Sequence, residues 1–230
     1  MIKYLFLDLD NTILDFNKAE AIAIRKTMRQ FGLEPTDALA ARYSQINDLH
    51  WKALERGEMT RDQVVVGRFA AFFGEQGIQV DAPAVAKTYE TFLSQGHFFL
   101  PGAEEAVKQK LYGKYKLYLA SNGTAVVQKG RMTSADLYPY FEESFVSQEL
   151  GHNKPSLEYF RAAFARIPGF DPSECIMVGD SLTGDILGGK NAGLRTVWIN
   201  PDHKTAPDDL KPDYEIEKLA DLPALLEEIE

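Results

Sequence analysis

Short apolar runs that break off into polar residues organise this chain. Tyr4 to Leu7 gives way to Asp8-Leu9-Asp10-Asn11-Thr12, and Leu117-Tyr118-Leu119-Ala120 to Ser121-Asn122-Gly123. Ile176-Met177-Val178 gives way to Gly179-Asp180-Ser181, and Thr196-Val197-Trp198-Ile199 to Asn200-Pro201. Continuous runs of this length, without alternation, fit strands buried on both faces of a parallel sheet. Helical patterning fills the intervals, at Ala103 to Tyr112, Ala125 to Ser134, Ser156 to Ala165 and Asp185 to Ala192. Strands alternating with helices predict the α/β class: a doubly wound parallel sheet, a Rossmann-like core.

One stretch departs from the alternation. From about Asn17 to Gln95 the pattern is helical throughout. Thr60-Arg61-Asp62-Gln63 reads as a capping box, with Thr60 as N-cap and Gln63 at the third helical position. Val65, Phe69, Phe72 and Phe73 follow as one apolar face. Pro35-Thr36 and Asp81-Ala82-Pro83 mark other helix starts. The expected organisation is a four-helix cap over residues 17–96, inserted into a core made of residues 1–16 and 97–230. Gly96-His97-Phe98-Phe99-Leu100-Pro101-Gly102 forms the return linker, where glycine and proline fit a hinge.

Composition narrows the class. The chain has 230 residues, 45% of them hydrophobic, enough for a packed core and an insertion. A net charge of −9 gives no electrostatic reason to bind a nucleic acid polymer or an anionic membrane. No apolar run is long enough for a membrane span, and a cytoplasmic location is the expectation. The single cysteine, Cys175, opens an apolar run and reads as a buried strand residue. The four histidines (His50, His97, His152 and His203) are scattered, without metal-ligand spacing. The segment Pro201 to Pro212 reads as a surface loop, and the acidic C-terminal end as a solvated helix end.

The candidate chemistry lies in the polar tails. Ligands of open parallel sheets bind at the carboxyl ends of the strands. There the tails collect Asp8, Asp10, Thr12, Ser121, Asn122, Asp180 and, just beyond, Asp185. Taken singly, an Asp-x-Asp turn, a Ser-Asn-Gly turn or an acid early in a helix is ordinary. Gathered without a cation, each like-charge pair about 4 Å apart costs roughly 4 kcal/mol at an effective dielectric of 20. A hard divalent cation removes that cost, and magnesium prefers oxygen ligands and phosphate; manganese accepts the same donors.

Asp8-Leu9-Asp10-Asn11-Thr12 resembles the DxDxT signature of the haloacid dehalogenase-like hydrolases. Ser121, Lys154 in Asn153-Lys154-Pro155-Ser156, and Gly179-Asp180 with Asp185 match the family's three later signatures in order. The resemblance covers the whole chain, including a helical cap after the first signature. It implies magnesium-dependent phosphomonoester hydrolysis with Asp8 as nucleophile, Asp10 as general acid and base, and Lys154 neutralising the phosphoryl group. It further implies that Ser121, Asn122 and Thr12 serve phosphate binding or order the turn. Asp8, Asp10 through its carbonyl, Asp180 and Asp185 would form the metal shell. Dehalogenating members lack an acid at the place of Asp10, because a halide leaves without a proton.

Finer features resemble the pyrimidine 5′-nucleotidases: His50-Trp51-Lys52, Gly57-Glu58-Met59-Thr60, Gly67-Arg68-Phe69 and the run from Gly179 to Gly189. Under that resemblance Trp51 stacks on a base and Arg68 reaches substrate oxygens; otherwise Trp51 is cap core and Arg68 a surface residue. Phe16 and Asn17 are further candidates at the cap hinge. A small phosphorylated metabolite is the expected partner, of a monomer or a homodimer. Phosphoglycolate, a sugar phosphate or an acylneuraminate phosphate is the alternative substrate, and a non-catalytic regulatory binding module the alternative role.

Overall fold

A computed structural model describes residues 1–229. Six strands form one sheet: β1 (Tyr4–Leu7), β2 (Lys116–Ser121), β3 (Glu143–Val146), β4 (Cys175–Gly179), β5 (Arg195–Ile199) and β6 (Tyr214–Ile216). Their order is β3-β2-β1-β4-β5-β6, and every neighbouring pair is parallel. β1 sits between β2 and β4, with Leu7 level with Leu119 on one side and Val178 on the other. That register sets Asp8, Ser121 and Asp180 at one edge of the sheet, each within two residues of the shared level. The doubly wound architecture expected from the alternating pattern is the one observed.

Successive residues of a strand face opposite sides. Leu5, Leu7, Leu117, Leu119, Ile176, Val178 and Val197 pack one way. They meet α5 (Ala103–Glu105, continuing as a π-helical turn over Ala106–Leu111) and α10 (Leu222–Ile229). Tyr4, Phe6, Tyr118, Phe145, Cys175 and Met177 face the other way, against α8 (Leu157–Phe164). Cys175 is fully buried there, and burial pushes its thiol well above the ordinary value. The remaining core helices are α6 (Ala125–Ser134), α7 (Ser147–Leu150) and α9 (Leu187–Asn191). A π-helical stretch, Leu182–Ile186, runs into α9, so Asp185 lies inside a helical segment rather than at its start.

The two edge strands carry no signal that the hydrophobic pattern detects. β3 begins on Glu143 and Ser144, and β6 spans three residues with Glu215 exposed at its centre. A sheet edge is half solvated, so polar residues there cost little. The C-terminal end is a helix through Ile229, as expected, with Leu222 and Leu226 of α10 buried and Glu227 and Glu228 exposed; Glu230 lies outside the described residues.

The insertion consists of α1 (Phe16–Gln30), α2 (Asp37–Glu55), α3 (Arg61–Glu75) and α4 (Ala82–Leu93). Thr36, Thr60 and Asp81 each cap the helix that follows. At Thr60 the capping box is reciprocal: the hydroxyl accepts from the Gln63 amide at 3.3 Å, and the Gln63 side chain accepts from the Thr60 amide at 2.8 Å. The four helices share an aromatic centre in which Tyr43 stacks on Phe69 at 5.4 Å and Phe69 meets Tyr89 at 5.2 Å. Val64 is the buried valine of α3, with Val65 half-buried beside it, because the face centred on Arg68 and Phe69 turns inward. The two chain crossings between insertion and sheet lie side by side. The Asp15 amide donates to the Phe98 carbonyl at 2.7 Å, and the Leu100 amide to the Ile13 carbonyl at 3.0 Å.

Truncating Phe69 to alanine removes the ring at the centre of this cap. Phe69→Ala is expected to destabilise the cap by about 3–5 kcal/mol. Urea unfolding followed by Trp51 fluorescence measures it, since Trp51 lies on α2 of the same bundle.

Candidate active site

At the carboxyl edge of the sheet a buried lysine joins three strand ends. The Lys154 ammonium donates to Asp8 Oδ1 at 2.9 Å, to Asp185 Oδ1 at 2.6 Å and to the Ala120 carbonyl at 2.6 Å. An ammonium has three protons, and all are used. The loop carrying Lys154 is fixed by Asn122. Its side chain donates to the Lys154 carbonyl at 2.9 Å and accepts from the Lys154 amide at 2.8 Å. Asp185 also accepts from the Ser181 amide at 3.1 Å. Gly179 is obligatory beneath it: a Cβ there would lie 2.0 Å from the Asp185 carboxylate.

Asp8, Asp180 and Asp185 each offer a carboxylate oxygen, and these oxygens lie within 4.8 Å of one another. Three carboxylates thus face one ammonium. Burial, with Asp185 and Asp10 adding to it, pushes Asp8 up to about 7 against the pull of Lys154. Burial and the neighbouring Asp8 and Asp185 carboxylates push Asp180 well above the ordinary range. Burial disfavours a charged Lys154, but Asp185 and Asp8 outweigh it and hold its pKa well above the usual value. The site is short of positive charge and its free donors are all oxygens, which suits a hard divalent cation.

Asp10 stands apart from this cluster. Its carboxylate is paired with Arg131 and accepts from the Gln128 amide at 2.8 Å. Gln128 also donates to Ser121 Oγ at 2.7 Å, and fully buried Arg131 donates through Nε to the Gly96 carbonyl at 2.8 Å. Asn11 adopts a left-handed backbone, φ 54°, that turns the chain between Asp10 and the hinge. Gln128 and Arg131 lie three apart on α6, hence on one face. Polar residues on the sheet-facing side of a predicted helix are the signal that would have singled them out.

The cavity over these groups measures about 1210 Å³. Of the residues named from sequence, Asp8, Asp10, Ser121, Asn122, Lys154, Asp180 and Asp185 border it from below, and Phe16, Asn17, Trp51 and Arg68 from the hinge and cap. Thr12 does not border it: the residue is fully buried, and its hydroxyl has no hydrogen-bond partner among the described residues. Arg68 is 3% exposed rather than a surface residue. Two cap residues also reach the core. Glu55 accepts from the hydroxyls of Thr183 and Ser181. Burial pushes its carboxyl upward, and Asp185 adds to the effect. Arg61 donates to the Gly123 carbonyl at 3.2 Å, to Asn153 Oδ1 at 2.6 Å and to Ser147 Oγ. Burial pushes Arg61 down to about 10.

The chain belongs to the haloacid dehalogenase-like hydrolase family, whose model matches residues 2–193. It is 41% identical to the HAD-hydrolase YfnB of Bacillus subtilis, over 95% of this chain and 92% of that protein. A crystal structure of YfnB bound to magnesium superposes with a TM-score of 0.92, covering 98% of each chain, and is described as revealing interdomain movement. The pyrimidine 5′-nucleotidase PynA of Streptococcus pneumoniae is 35% identical over 96% of this chain and 93% of its own. The pyrimidine 5′-nucleotidase YjjG of Escherichia coli is 27% identical over 97% of each. Among the described residues no helix is long and apolar enough to cross a membrane.

The raised Asp8 value has a thermodynamic consequence. In the metal-free protein the native state keeps a proton on Asp8 up to about pH 7, whereas the unfolded chain releases it near the ordinary value of 3.8. Stability through this group therefore falls as pH rises across that window. A divalent cation bound by Asp8, Asp180 and Asp185 would displace the proton and reverse the loss. Scanning fluorimetry is expected to show a larger rise in Tm on adding magnesium chloride at pH 7.5 than at pH 5; equal rises would count against the assignment.

Proposed function

We propose that this enzyme is a magnesium-dependent phosphatase that hydrolyses pyrimidine nucleoside 5′-monophosphates through a phospho-aspartate on Asp8. The observation that carries the reading is the junction of Asp8, Lys154, Asp180 and Asp185 at the floor of a cavity roofed by the helical cap. Its likeness to two pyrimidine 5′-nucleotidases supports the substrate class.

Asp8 is the nucleophile. Its free carboxylate oxygen attacks phosphorus, the phosphorus–ester oxygen bond breaks, and Asp10 gives its proton to the leaving 5′-alkoxide. A water then attacks the acyl phosphate while Asp10 takes a proton back, which releases inorganic phosphate and restores Asp8. Lys154 holds Asp8 in place and presents positive charge to the phosphoryl oxygens. Ser121 and the Asn122 backbone sit beside the same position and bind phosphate oxygens. Asp8, the Asp10 carbonyl and Asp180 would hold magnesium, with Asp185 orienting the shell through Lys154 and the Ser181 amide. When bound, the ion neutralises charge that develops on the phosphoryl group. Trp51 and Arg68 contact the nucleoside from above.

Asp10 distinguishes this chemistry from dehalogenation, since only an alkoxide leaving group needs its proton. Its carboxylate borders the cavity that contains Asp8, turned onto Arg131 and Gln128 of α6; to serve as the acid it gives up the Arg131 contact and carries a proton.

A panel of phosphomonoesters assayed with magnesium and with chelator tests the whole reading. Release of phosphate is expected to be fastest from uridine, deoxyuridine and thymidine monophosphates and to vanish with EDTA. A clear preference for phosphoglycolate, sugar phosphates or acylneuraminate phosphate would overturn the substrate class while leaving the chemistry. Asp8→Asn is expected to lose at least about a thousandfold in kcat; normal turnover in that variant would overturn the mechanism.

A further inference from the structure

The cap carries a buried polar chain that packing alone leaves incomplete. Glu20 of α1, Asn47 of α2 and Arg68 of α3 are each 3% exposed, and all three border the cavity that contains Asp8. Asn47 Nδ2 donates to Glu20 Oε1 at 2.7 Å, and Arg68 Nη1 donates to Asn47 Oδ1 at 2.6 Å. The two bonds fix the amide: its nitrogen faces the carboxylate, and its oxygen faces the guanidinium. Arg68 in turn lies among rings, 4.9 Å from the centre of Phe69, 5.1 Å from Tyr89 and 5.8 Å from Trp51. A guanidinium offers five N–H donors. Among the described residues Arg68 makes one hydrogen bond, to a neutral amide, and its buried Nε has no partner.

A cap stabilised only by its own contacts would be better served by apolar groups at these places, because a buried donor without an acceptor is costly. Nε is sealed from the cavity; Nη2 also makes no hydrogen bond among the described residues but is not buried, so what fills the cavity can supply its acceptor. Arg68 lies on the cap and Asp8 at the sheet, and both border that cavity; a nucleotide held by its phosphate at Asp8 can offer the flat, carbonyl-bearing face of its base to the cap. We infer that Arg68 binds a ring carbonyl of the substrate's heterocyclic base, with Asn47 and Glu20 as positioning residues that hold the guanidinium fork in place and Trp51 as a wall for the ring. The inference rests on the nucleotide reading above and deepens it by assigning base selection to this chain of residues. A sugar phosphate has no base carbonyl and no flat face, and offers the Arg68 donors only hydroxyl oxygens, which lack the fixed in-plane geometry of a ring carbonyl. Rejection of a ligand that cannot pair a buried polar group is the stronger form of selectivity.

The test is the ratio of kcat/KM for uridine 5′-monophosphate to that for ribose 5-phosphate, the same ester without its base. Arg68→Met is expected to lower this ratio about tenfold to a hundredfold, the effect of losing a hydrogen bond from a charged donor. Arg68→Lys keeps the charge but not the fork, and serves if the methionine variant folds poorly; it is expected to lower the ratio as well. Asn47→Leu is expected to lower it by a smaller factor. Glu20→Gln, which keeps an acceptor for the Asn47 amide, is expected to stay near the wild-type ratio. If the wild type prefers the nucleotide and every variant keeps that preference, with both substrates changing in step, the chain is cap packing and the inference fails alone. If the wild type is indifferent to the base, the nucleotide reading fails and this inference with it.

Discussion

An ammonium sealed among carboxylates is the arrangement on which the remaining features of this protein depend. Lys154 is buried, and a buried cation without partners is not tolerated; removing one member of such a set typically costs about 3–5 kcal/mol. Its partners come from places far apart in sequence: Asp8 after β1, the Ala120 carbonyl on β2, and Asp185 beyond β4. Only the strand register brings them together. The same packing that shields the charges pushes the Asp8 and Asp180 carboxyls upward. A divalent ion held by these carboxylates would take the place of the protons that burial favours.

The helical insertion completes what the sheet begins. Arg61 reaches down to Gly123 and Asn153, on the loops that carry Asn122 and Lys154, and to Ser147 at the start of α7. Glu55 reaches down to Ser181 and Thr183, at the start of the π-helical stretch that carries Asp185. Cap position is therefore linked to both flanks of the carboxylate cluster through polar contacts. The cap's own cohesion lies elsewhere, in its aromatic centre, so the insertion keeps its shape whether or not those two contacts are made.

The sequence by itself determined the strand-and-helix alternation, the helical insertion with its Thr60 capping box, and the residues of the carboxylate cluster. These are legible because buried parallel strands need unbroken apolar runs, caps need particular side chains, and family signatures place the acids at strand ends. Three kinds of feature were decided only by the tertiary structure. The edge strands β3 and β6 are polar enough to escape a hydrophobic pattern, and form because a neighbouring strand offers them hydrogen bonds. The clamp of Arg131 and Gln128 on Asp10 joins residues more than a hundred positions apart, which no local spacing reports. Arg68, which reads from sequence as either a surface residue or a substrate contact, is buried beside Asn47 because three separate helices converge there. Local chemistry follows from residue type and period; long-range pairing depends on how elements pack, and in this chain packing sets which donors are used up and which are left free for a ligand.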